Sequence, residues 1–69
     1  MINDKSRKVN YNAILNDNFE TWNDNSLEVG DLVTVSQELD HGDYFLYEVN
    51  KGEEVDYISR KMFDRVMIS

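Results

Sequence analysis

The stretch GDYFLYEVNKGEEVDYISRKMFDRVMI, residues 42–68, decides the fold. Its first run, YFLYEV, alternates. Phe45, Tyr47 and Val49 share one face, and Tyr44, Leu46 and Glu48 the other, which is the two-residue period of a strand. Asn50-Lys51-Gly52 is a hairpin signal. The next run, EVDYISR, puts Val55 and Tyr57 on one face and Asp56 and Ile58 on the other. Lys61 to Asp64 fits one tight helical turn anchored by Met62 and Phe63, and Val66-Met67-Ile68 can close the sheet. Phe45, Ile58, Phe63 and Val66 are the expected core residues of this half.

Upstream, LVTV follows Gly30-Asp31 as a short β-branched run with Val33 and Val35 on one face. His41-Gly42-Asp43 is a turn cluster. The segment from Tyr11 to Trp22 reads two ways. Tyr11, Ile14, Leu15, Phe19 and Trp22 sit at helical spacing, whereas Asn16-Asp17-Asn18 is a poor helix interior and a good turn. Periodicity alone leaves helix and strand-plus-loop open. Residues 1–10 are expected to be a flexible tail and residues 11–69 one small domain. There is no internal repeat and no Gly-, Ser- or Pro-rich linker.

The 69 residues allow a modest core and a small stability margin. No cysteine is present, so neither a disulfide nor a thiolate metal site supports that core, and a reducing, cytoplasmic setting is expected. No apolar run reaches membrane-spanning length, and MINDKSRKVN has no apolar stretch behind its basic residues. Net charge is −7, unevenly spread: from Val9 to Asn50 there is no Lys or Arg, while that stretch holds nine acids. Such a field repels phosphates and attracts basic partners. The asparagine-rich, proline-free composition suggests a phage or bacterial origin.

The order of these segments resembles a Src-homology-3 (SH3) domain. AILNDNF from Ala13 resembles the family's opening strand, and DNSLEVGD, ending at Asp31, the end of its long acidic loop. GDYFLYEV from Gly42 resembles the strand with paired aromatics, and DYISRKMF from Asp56 the segment holding the helical turn. The resemblance spans about residues 11–69. It implies a mainly β fold: a small five-stranded SH3-like barrel with a short helical turn before the last strand. It also implies a strand and long loop, rather than a helix, over residues 11–22.

The same resemblance places the family's groove aromatics at Leu15, Asp17, Tyr44 and Met62, and the groove proline at Ser59. Only Tyr44 is aromatic. A surface that reads proline-rich helices needs aromatic walls, so proline recognition is not carried over. Asp56 stands where the family has Gly, and Tyr47 where it has a small core residue, which calls for a repacked interior.

The expected function is therefore non-enzymatic: an acidic protein-interaction module binding a basic or aromatic surface of a partner protein. Trp22 and Tyr44 would anchor it, Glu20, Asp24, Glu38, Asp40 and Asp43 would steer it, and Met62 would add an apolar contact. The alternative is a phage- or mobile-element-type inhibitor whose carboxylates mimic nucleic acid. A structural subunit with Met62, Met67 and Leu46 as contacts is a third possibility. Arg60, Lys61 and Arg65 could touch phosphates, but the net charge argues against direct nucleic-acid binding.

No cofactor, metal or catalytic set is expected. His41 has only Asp40 and Asp43 nearby, without a recognised ligand spacing. The run from Asn16 to Glu28 lacks the central glycine and the ordered ligands of a calcium loop. No Ser or Cys has a positioned base in its segment.

Overall fold

The computed structural model describes residues 5–20 and 26–67. Five antiparallel strands form one curled sheet: β1 (Lys5–Leu15), β2 (Leu32–Asp40), β3 (Phe45–Lys51), β4 (Glu54–Ile58) and β5 (Phe63–Arg65). Their order is β4-β3-β2-β1-β5, so the last strand returns to lie beside the first. One 3-10 turn, Arg60–Met62, separates β4 from β5. The mainly β architecture with a helical turn before the last strand is the one expected from the sequence.

Alternation decides what is buried. Ala13 and Leu15 of β1, Val33 and Val35 of β2, Val49 of β3, Ile58 of β4 and Phe63 of β5 point to one side, where Leu27 and Met62 join them. Val9, Tyr11, Phe19 and Tyr47 pack around this cluster. Fully burying a Val, Leu, Ile, Met or Phe side chain of this cluster contributes about 1.5–3 kcal/mol, which in so small a domain must carry most of the stability.

The curl has a local origin at Ser36. On β1, Lys8 pairs with Gln37 and Tyr11 with Val35, so Val9 and Asn10 oppose Ser36 alone. On the other side Val35 pairs with Val49 and Gln37 with Glu48, leaving Ser36 as an extra residue. The first bulge bends β1 and the second bends β2, and both increase the local twist. The Ser36 hydroxyl donates to the Glu48 carboxylate and accepts from the Asn50 amide at 3.0 Å, while Tyr57 donates to Glu48 at 2.8 Å. These bonds fasten β2, β3 and β4 together on the outer face.

The hairpin between β3 and β4 pairs Lys51 with Glu54 across Gly52-Glu53. Gly52 has φ +62°, and Glu53 is not in the positive-φ region, the pattern of a type II′ turn. The loop after β1 is held at its base: Leu15 N–H donates to Asp31 O at 3.0 Å, and Gly30 N–H to Leu15 O at 2.7 Å. Asn16 ties the same region to the helical turn. Its N–H donates to Met62 O and its side-chain amide to Lys61 O, each at 2.9 Å.

Over residues 11–20 the strand and loop implied by the resemblance are found, with Tyr11 to Leu15 in β1 and a turn at Asp17-Asn18. Three expectations need correction. Residues 5–10 are strand, not tail, because Lys5 to Lys8 pair with Asp40 to Gln37. The helical turn and last strand begin at Arg60 and Phe63, because buried Phe63 is already extended at φ −145°, ψ 157°; Ile68 lies outside the described residues. Phe45 is 42% exposed, because β4 ends opposite Tyr47 and leaves Phe45 uncovered beyond the core. Asp56, by contrast, is tolerated in extended β4 with its side chain buried, its Oδ1 accepting Tyr57 N–H at 2.8 Å.

Candidate functional site

The tip of the β2–β3 hairpin collects most of the expected site. Asp40 Oδ1 accepts the Gly42 N–H at 2.8 Å, and His41 N–H donates to Tyr44 O at 3.0 Å. The first is an Asx turn, which short polar side chains form in preference to extended backbone. Gly42, at φ +89°, supplies the conformation that lets the chain reverse. The result stacks the His41 and Tyr44 rings, centroids 5.0 Å apart and planes 18° apart. Tyr44 is 55% exposed, and Phe45 beside it is open as well. Asp43 is exposed and Asp40 half-buried at the border of this aromatic surface.

The remaining expected residues separate. Glu38 is half-buried and engaged internally: its carboxylate pairs with Arg7 at 3.3 Å and accepts the Tyr47 hydroxyl at 3.1 Å. Glu20 is exposed in the loop after β1, which attaches to the opposite end of β2 from the hairpin tip. Trp22 and Asp24 lie outside the described residues. Met62 is a core residue, not a contact, because Asn16 and Asn18 draw the helical turn inward through Lys61 and Met62 carbonyls. Leu15, another groove position, is buried too.

A second constellation was not anticipated as a unit. The Arg65 guanidinium lies 4.3 Å from the centre of the Tyr11 ring, and that of Arg60 lies 4.6 Å from the centre of Phe63. Arg60 also donates to Phe63 O at 2.7 Å. Tyr47 meets Phe63 edge-on at 5.4 Å. Burial pushes the Tyr11 phenol above its usual value, opposed by Arg60 and Arg65 and, more weakly, by Arg7. All three arginines of the chain therefore act on one tyrosine. Beside them a cleft of about 260 Å³ is lined by Tyr11, Asn12, Arg65, Val66 and Met67. Sequence reasoning saw Arg60 and Arg65 but not Arg7 or Tyr11; the alternation of Arg7, Val9 and Tyr11 in one strand was the available signal.

Among the described residues no group of three or more His, Cys, Asp or Glu could hold a metal ion, and no helix is long and apolar enough to cross a membrane. No protein-family model, curated protein or solved structure matches the chain.

Proposed function

We propose that this chain is a non-enzymatic protein-interaction module with an SH3-like build, engaging a basic, partly apolar patch on a partner protein through the β2–β3 tip. The succession of long loop, hairpins, helical turn and closing strand supports the SH3-like build. The observation that carries the function is the exposed aromatic surface of stacked His41 and Tyr44 with Phe45, bordered by Asp40 and Asp43. Rigid aromatics supply contact area at low entropic cost, and interface hot spots are rich in them. The acids raise the encounter rate with a basic partner and set its orientation.

The test is capture by the immobilised protein from a lysate, followed by association kinetics with the recovered partner. Tyr44→Ala should speed dissociation at least tenfold, the scale of one hot-spot residue. Asp43→Lys should slow association at low salt, and the difference should shrink as salt rises. Binding indifferent to both substitutions would refute this use of the tip. Displacement of the partner by duplex DNA would instead assign the acidic surface to nucleic-acid mimicry.

A further inference from the structure

We infer that the open edge of β1 accepts an extended, acidic peptide segment of a partner protein as an added strand, with its carboxylates on the arginines beside that edge. This surface meets the β2–β3 tip at Lys5, which pairs with Asp40, but it is read by different residues and selects the opposite charge.

The edge follows from the register. On one side β1 pairs with β2 along most of its length. On the other side β5 covers only Ala13 to Leu15, and Val66 N–H adds one bond to Asn12 O at 2.9 Å. From Lys5 to Tyr11, no strand among the described residues lies on that second side. Seven residues of strand extend over roughly 20 Å. From Lys5 to Lys8, up to the bulge at Val9 and Asn10, such an edge presents a row of backbone donors and acceptors ready for pairing.

Charge selects the occupant. Lys5, Arg7 and Lys8 stand in this segment, Arg65 is the last residue of β5, and Arg60, in the 3-10 turn before β5, reaches over the Phe63 ring. Neither Arg60 nor Arg65 has a carboxylate ion-pair partner among the described residues, although the chain holds 14 acids to 7 bases. Each is instead held over an aromatic ring. A guanidinium fixed in this way loses little freedom on binding, and its fork matches a carboxylate. The cleft bounded by Tyr11, Arg65 and Met67 lies at the closed end of the open edge and can receive a terminal side chain of the added strand.

Other occupants fit less well. A second copy pairing β1 against β1 would oppose its own Lys5, Arg7 and Lys8 to the same residues, and like charges across a ladder destabilise it. Nucleic acid would meet a chain of net charge −7. The other edge, β4, carries Glu54 and Asp56 and no base, so it does not offer the same site. Basic side chains on an edge ordinarily guard it against pairing. An acidic segment is the partner for which that guard becomes an attraction.

The test uses a blocked octapeptide alternating Glu with Thr as probe, with the same peptide carrying Lys for Glu as control, followed by amide NMR of the full chain. Saturable shifts confined to residues 5–12 and 64–67, with hydrogen exchange slowed at alternate amides from Lys5 to Lys8, ahead of the bulge, are expected. Arg7→Glu combined with Arg65→Glu should weaken binding by about tenfold, the scale of two exposed charge pairs, whereas Tyr44→Ala should leave it unchanged. A Glu peptide N-methylated at alternate residues keeps its charge but cannot complete the ladder, so it should not bind; this arm needs no altered protein. Equal binding of the N-methylated or Lys peptide, or shifts centred on the β2–β3 tip or β4, would overturn the inference. Failure here leaves the tip's role standing, since the two surfaces are read by different residues.

Discussion

Tyr47 shows how one residue joins the core to the polar end of the sheet. Its ring meets Phe63 edge-on, and its hydroxyl donates to Glu38, which also holds Arg7. Burial first, and that hydrogen bond second, push its phenol above the usual value; burial raises Tyr11, and the bond to Glu48 raises Tyr57. A group whose folded value is raised stabilises fully below its unfolded value, about 10 for tyrosine, and loses that contribution as pH climbs through the folded value. Urea midpoints should therefore hold up to about pH 10 and fall beyond it. Tyr47→Phe should cost about 0.5–1.5 kcal/mol at pH 7, and its deficit relative to the parent should narrow above pH 10. Parallel denaturation series of the two proteins check this. The period of two put Tyr47 on one face with Phe45 and Val49, and the family resemblance implied an interior place for it. Neither could mark Phe45, two residues away on the same face, as exposed, because that depends on where β4 happens to stop.

At the scale of elements, the turns were the most legible features, since they are written in neighbouring residues. Gly52 occupies φ +62° in the β3–β4 turn, and nothing lies within 4 Å of where a Cβ would stand. Gly52→Ala is then a pure backbone test: it should cost about 1–3 kcal/mol, with no packing contribution, measured by equilibrium unfolding. The base of the loop after β1 is a charge-dependent fastening. Asp31 accepts the Glu28 N–H at 2.9 Å and pairs with Lys51 at 3.3 Å; the first contact is the main cause holding its carboxyl below the usual value, the second a lesser one. A depressed folded value contributes stability above the unfolded value, near 3.8, that disappears as pH falls through the lower folded one. Asp31→Asn should unfold at lower urea than the parent at pH 7, and the two midpoints should converge below pH 4. The start of β1 was not legible in this way. Lys5 to Lys8 look like a solvated tail until Gln37 to Asp40 are seen to pair with them, and nothing local encodes that distant pairing. The double bulge at Ser36 was hidden for the same reason.

For the whole molecule, the candidate tip was legible because Asp40, Asp43 and Tyr44 are neighbours in sequence, while the arginine cluster joins strands from the two ends of the chain. Charge distribution leads to the last prediction. Two effects of salt compete in a chain of net charge −7. Salt screens self-repulsion, which stabilises, and it screens ion pairs, which destabilises. The described pairs are Arg7–Glu38 and Lys51–Asp31, and their basic partners are 72% and 52% exposed. Exposed pairs of this kind contribute about 0–1 kcal/mol each. Repulsion acts over longer distances. The molecule measures 38 × 32 × 22 Å, so a screening length of about 30 Å at 0.01 M lets charges interact across it, whereas about 3 Å at 1 M confines them to contacts. Repulsion should dominate at low salt. The urea midpoint at pH 7 should therefore rise on adding sodium chloride, most steeply below about 0.1 M, where the screening length is still about 10 Å. Chloride is the right anion for the experiment, since sulfate strengthens apolar burial independently of charge. A midpoint that falls over the same range would mean that the ion pairs outweigh the repulsion of seven excess negative charges.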